Sequence, residues 1–101
     1  MPREMTEPAG PTAAAATPLP DLVLYSRAGC HLCDEARDVL RELLEDRRAA
    51  GRDVPLLVER DITTNRAWEQ AFGASIPVVE FGQQRLDLAT SPARLRRLLD
   101  R

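Results

Sequence analysis

Two cysteines three residues apart, Cys30 and Cys33, are the only ones in the chain, and they fall where an apolar run gives way to a helical pattern. Leu22 to Ser26 reads as a short buried strand, ended by the turn Arg27-Ala28-Gly29. From His31 to Arg48 the apolar positions Ala36, Val39, Leu40, Leu43 and Leu44 follow one helical stripe. Asp34 and Glu35 in its first turn and Arg47 and Arg48 in its last suit the helix dipole, and Gly51 supplies a stop. A cysteine pair this close closes almost no loop, so it adds little stability by restraining the unfolded chain. A fold framed by disulfides would need more cysteines, set wider apart. The pair is therefore placed for chemistry.

The rest of the chain supplies what such a junction packs against. Val54 to Ile62 reads as a second strand, with Val54, Leu56 and Val58 on one side, Leu57 opposite, and Pro55 near its start. Thr63 or Thr64 caps a short helix that runs through Phe72 and stops at Gly73, with Trp68 and Phe72 packed inward. Val78 to Phe81 forms a third strand, Gly82-Gln83 a tight turn, and Arg85 to Leu88 a fourth strand. Ser91-Pro92 opens a last helix, whose inner face is Leu95, Leu98 and Leu99. The order β-α-β-α-β-β-α predicts an α/β domain with one four-stranded mixed sheet flanked by helices.

The 101 residues suffice for one domain. The first 20 hold five of the eight prolines and the run Ala13 to Ala16, with little to bury. Residues 1–20 are expected to form a disordered tail, and 21–101 the folded domain. No apolar segment precedes the alanines, and Glu4 and Glu7 stand where a secretory leader carries basic residues, so a cytoplasmic location is expected. No run approaches the ~20 apolar residues of a membrane span. A net charge of −2 and 4% aromatics argue against nucleic acid or an anionic membrane as partner. A monomer is the default expectation.

Cys30 falls at or just before a helix N-terminus, where unpaired N–H groups and the helix dipole favour a thiolate, the nucleophilic form of cysteine. Cys33 lies one turn on, within reach of a mixed disulfide on Cys30. Arg27 and His31 flank the nucleophile and add positive potential, His31 only when protonated. Ile76-Pro77 precedes the third strand. A trans proline there simply opens the strand; the alternative is a cis bond, which is uncommon. A structural zinc site needs four ligands, and two cysteines with one histidine between them do not supply it. Three readings follow: a reversible dithiol/disulfide couple, which motif and context favour; a metal or Fe–S site shared between two chains or completed by an external thiol; and a non-catalytic binding module.

The segment Leu24-Tyr25-Ser26-Arg27-Ala28-Gly29-Cys30-His31-Leu32-Cys33 resembles the active-site segment of the glutaredoxin-like proteins of the thioredoxin-fold superfamily. Asp61-Ile62, Phe72-Gly73 and Ile76-Pro77-Val78-Val79 fit the same pattern, so the resemblance spans residues 21 to 101. It implies a thioredoxin-like fold and thiol–disulfide oxidoreductase activity, with Cys30 attacking and Cys33 resolving. Pro77 would be the cis-proline, the Ile76 backbone would pair with an extended substrate, and Arg27 would meet the glycine carboxylate of glutathione. Implied partners are a disulfide-containing protein or small-thiol substrate and an external reductant, with no tightly bound cofactor. The chain departs from glutaredoxins proper at His31-Leu32, where they carry Pro and an aromatic. It departs again at Arg85 to Ser91, which lacks their glycine pair. Glutathione and other low-molecular-weight thiols therefore both stand as candidate co-substrates.

Overall fold

A computed structural model describes residues 19–100. All but Leu19 and Pro20 of the expected tail lies outside the described residues, as does Arg101. The elements are β1 (Leu22–Ser26), α1 (His31–Ala49), β2 (Leu57–Asp61), a 3-10 turn (Ile62–Thr64), α2 (Arg66–Phe72), β3 (Val78–Phe81), β4 (Gln84–Leu86) and α3 (Pro92–Leu99). The four strands form one mixed sheet in the order β2-β1-β3-β4. β1 runs parallel to β2, with Ser26 opposite Asp61, and antiparallel to β3, with Tyr25 opposite Val78. β4 returns antiparallel to β3. This is the four-stranded mixed α/β sheet that the element order predicts, in the thioredoxin-like fold that the resemblance implies.

Side chains alternate across the sheet, so each strand feeds two cores. Leu22, Leu24, Val79 and Phe81 are buried against Ala36, Leu40, Leu43 and Leu44 of α1 and Leu95, Leu98 and Leu99 of α3. Val23, Tyr25 and Val78 face the other way, into a smaller cluster with Ile62 and Phe72, joined by Val58, Trp68 and Ile76. Tyr25 anchors that face, its ring 4.3 Å from Phe72 and 5.9 Å from Trp68 by centroid. The Arg60 guanidinium lies over both Tyr25 and Trp68 and donates to the Tyr25 hydroxyl, which in turn donates to Glu80. Burial first, then the Glu80 carboxylate, pushes the Tyr25 phenol above its usual range.

Three expectations need correction. The second strand begins at Leu57, because Pro55, which has no N–H, and Leu56 precede the ladder. Leu56 is exposed, and Leu57 and Val54 pack toward α1 and α3 while Val58 faces the aromatic side. Neither Thr63 nor Thr64 caps α2. Asp61 accepts from the Thr63 N–H and hydroxyl and holds the threonines in the 3-10 turn, while the Asn65 side chain accepts from Trp68 N–H and caps the helix. The fourth strand ends at Leu86, and Leu88 sits at φ 47°, outside any strand conformation.

Candidate active site

The parallel β1–β2 pair and the antiparallel β1–β3 pair bring the ends of three segments to one edge of the sheet. These are the loop after Ser26, the turn after Asp61 and the residues before Val78. Helix α1 begins at this edge. Gly29, at φ 78°, turns the chain into it. Cys30 is its N-cap, with extended backbone, and its sulfur accepts from the Cys33 N–H at 3.1 Å where serine or aspartate would ordinarily serve. Its carbonyl accepts from Asp34 N–H. Cys30 and Cys33 are joined by a disulfide, with Cα atoms 5.2 Å apart. Cys30 is partly exposed and Cys33 fully buried, so an incoming reagent meets Cys30.

Ile76-Pro77 is a cis peptide bond at the same edge, next to the start of β3. Ser75 and Pro77 direct their carbonyls at the N–H groups of Leu88 and Ala89, at 2.9 and 2.8 Å. Ile76 lies between them with neither backbone group hydrogen-bonded among the described residues.

Arg27 and His31 are both at this edge but are engaged elsewhere. The Arg27 guanidinium reaches Glu69 of α2 at 3.5 Å. The His31 ring is 83% exposed and pairs with Glu35 one turn along α1 at 2.8 Å. Glu35 thus faces His31, and Asp34 is taken by Arg37 at 2.8 Å.

Between the start of α1 and strands β1 and β2 is a network that the sequence pattern does not single out. Ser26, buried at the end of β1, donates to Glu59 of β2 at 2.7 Å, and Arg37 grips the same carboxylate with Nε and Nη2. Arg37 also holds Asp34, so one guanidinium ties the first turns of α1 to the sheet. The hydrogen bonds from Arg37, assisted by Ser26, hold the Glu59 carboxyl below its usual range despite partial burial, and they hold Arg37 charged. Asp61 is likewise held low, first by its hydrogen bonds from Thr63 and then by the Arg27 charge. The only signals in the sequence were a serine closing an apolar strand and an arginine on the flank of an amphipathic helix. A shallow depression of about 300 Å³ runs between these groups, lined by Arg27, Arg37, Glu59 and Asp61 among others.

Among the described residues no group of three or more His, Cys, Asp or Glu side chains is arranged to hold a metal ion, and no helix is long and apolar enough to cross a membrane.

Residues 21–100 match the model of the glutaredoxin-like domain family (DUF836). Among solved structures, the X-ray structure of Northeast Structural Genomics target protein XcR50 from X. campestris is similar. It is 34% identical, with a TM-score of 0.62, over 78% of this chain and 95% of that one.

Proposed function

This chain belongs to the glutaredoxin-like family, and from that premise we propose that it is a thiol–disulfide oxidoreductase whose redox centre is the Cys30–Cys33 dithiol. The observation that carries the reading is the asymmetry of the pair: Cys30 sits at the helix N-terminus and partly exposed, while Cys33 is buried one turn on. At that position backbone N–H groups and the helix dipole stabilise a sulfur anion.

In the reduced protein, the Cys30 thiolate attacks one sulfur of a substrate disulfide. A new S–S bond forms to Cys30, the substrate S–S bond breaks, and the departing sulfur takes a proton from solvent. Cys33 then gives up its proton and attacks Cys30 Sγ. The mixed disulfide breaks, the second substrate thiol leaves protonated, and Cys30–Cys33 is left as a disulfide. The substrate gains two electrons and two protons. Two equivalents of a low-molecular-weight thiol, glutathione or another, restore the dithiol. Helix-end potential is the main support of the thiolate. Arg27, and His31 when protonated, contribute to the potential at this edge, each moderated by its glutamate partner. The unpaired Ile76 backbone, beside Pro77, offers an N–H and a carbonyl to an extended substrate chain, and Arg27 is a candidate for a substrate carboxylate. Such a couple works as a reductase in a reducing compartment such as the cytoplasm, as a monomer acting on disulfide-containing protein or small-thiol substrates.

A redox titration of the full chain in glutathione buffers, trapped by acid and alkylation and read by intact mass, tests this. A reversible two-electron transition between dithiol and intramolecular disulfide is expected. A pair that never titrates would remove the oxidoreductase reading.

A further inference from the structure

Leu88 is the only residue other than glycine with a positive φ, 47°, among the described residues, and it is 57% exposed. Its N–H donates to the Ser75 carbonyl at 2.9 Å, and its own carbonyl accepts from Thr90 N–H at 2.7 Å. The next residue, Ala89, is fully buried and donates to Pro77. The backbone is therefore fixed on both sides and fully used, and the isobutyl group is all that Leu88 presents. Glycine or asparagine would fill a left-handed turn with less strain, and a leucine held in water gains no packing there. A strained, exposed apolar residue at the same sheet edge as a reactive centre is best explained by what it meets from outside.

Four large hydrophobic residues are exposed among the described ones. Two of them, Leu88 and Leu32, stand at the dithiol edge, Leu32 between the cysteines. Ile76-Pro77 lies between β1 and the Leu88 segment. We propose that Leu88 is a specificity-determining residue, selecting polypeptide disulfides that carry an apolar side chain two or three residues from the reacting cysteine. The inference rests on the oxidoreductase reading. Two strand spacings, about 10 Å, separate the end of β1 from the Leu88 segment, and an extended chain covers that in about three residues. The reaction is otherwise the same: the substrate disulfide takes two electrons and two protons from the dithiol, and a small thiol restores it.

The test uses the full chain with glutathione as electron donor. The probes are two cystine-bridged octapeptides with leucine or serine three residues from the cysteine. Wild type is expected to favour the leucine peptide by about tenfold in kcat/KM, the scale of one apolar contact. Leu88→Asn, which keeps the left-handed turn, should bring the two within about twofold without changing the pH profile of Cys30 alkylation. Leu88→Ala, which removes the isobutyl group but leaves an ordinary residue in the left-handed turn, should do the same, which separates the side chain from the strain. An equal preference in wild type and Leu88→Asn would overturn the proposal. So would self-association of wild type abolished by Leu88→Asn, since the rim would then cover a second copy. If wild type reduces neither peptide while the cysteine pair titrates reversibly, the inference falls and the redox couple stands. If the pair does not titrate, both fall.

Discussion

The two ends of α1 are finished by different chemistry. At the C-terminal end, Gly51 N–H donates to the Arg48 carbonyl and Arg52 N–H to Arg47, both at 3.0 Å, with Gly51 at φ 72°. These are the paired bonds of a Schellman stop. Arg47, nearly buried, adds bonds to the carbonyls of Asp53 and Leu99 and so ties the helix to α3. At the N-terminal end a sulfur stands in the capping position, and the helix is held to the sheet by ionised side chains, Arg37 between Asp34 and Glu59. One end is closed by backbone bonds and is chemically inert. The other leaves its helix-end potential to a reactive atom and relies on charges that titrate. The same helix thus serves as a structural spine at one end and an electrostatic device at the other.

This contrast orders the expected effects of substitution. The largest belongs to the reactive end. Cys30→Ser should lower disulfide turnover by about a thousandfold or more, because the one remaining thiol, Cys33, is fully buried. Cys33→Ser should accumulate that mixed disulfide, seen as a stable mass adduct. Full activity of Cys30→Ser would contradict the assignment of the two roles.

Next comes the inert end. Arg47→Ala removes two bonds from a largely buried side chain to carbonyls and should cost about 2 kcal/mol. That corresponds to roughly 10 °C in Tm for a domain this small. Thermal melts would show the loss, while the alkylation profile of Cys30 should not move. A shifted profile would mean that the two ends are coupled. Gly51→Ala should cost about 1 kcal/mol, a purely conformational loss because no atom lies within 4 Å of the added methyl.

The smallest effect sharpens the difference in pH response. Glu59 has a carboxyl value lower when folded than when unfolded. Its contribution to stability is therefore complete above the unfolded value and is lost as pH falls through the folded one. Denaturant melts across acid pH should show Glu59→Gln flattening the acid limb of the stability curve. With the carboxylate about a third exposed, at 35%, the change should be below about 1 kcal/mol. A flat acid limb in wild type would refute this account of the network.

The element order, the dithiol junction, the Ser91-Pro92 helix start and the Gly51 stop were all legible in the sequence. Each rests on local chemistry that a short segment carries by itself. What was not legible depends on partners distant in the chain. Ser26, Glu59 and Arg37 meet only because the parallel β1–β2 register places Glu59 within reach of both. Arg27 and His31 read in the sequence as sources of positive potential beside a thiol, His31 only when protonated, but their glutamate partners come from α2 and from one turn further along α1. Asp61 took Thr63 for its own turn, leaving Asn65 to cap α2, a competition among neighbouring polar residues that pattern alone does not settle. Leu88 continued a plausible strand pattern, but the Ser75 and Pro77 carbonyls draw residues 88 and 89 out of the ladder.

The central claim is that the N-terminal end of α1 turns Cys30 into a thiolate near neutral pH. The most direct measurement is the pH dependence of Cys30 alkylation in the reduced protein, read by intact mass, with Cys33→Ser to isolate the site. The account predicts a midpoint below that of a free thiol, ~8.5. A midpoint at or above that value would contradict it.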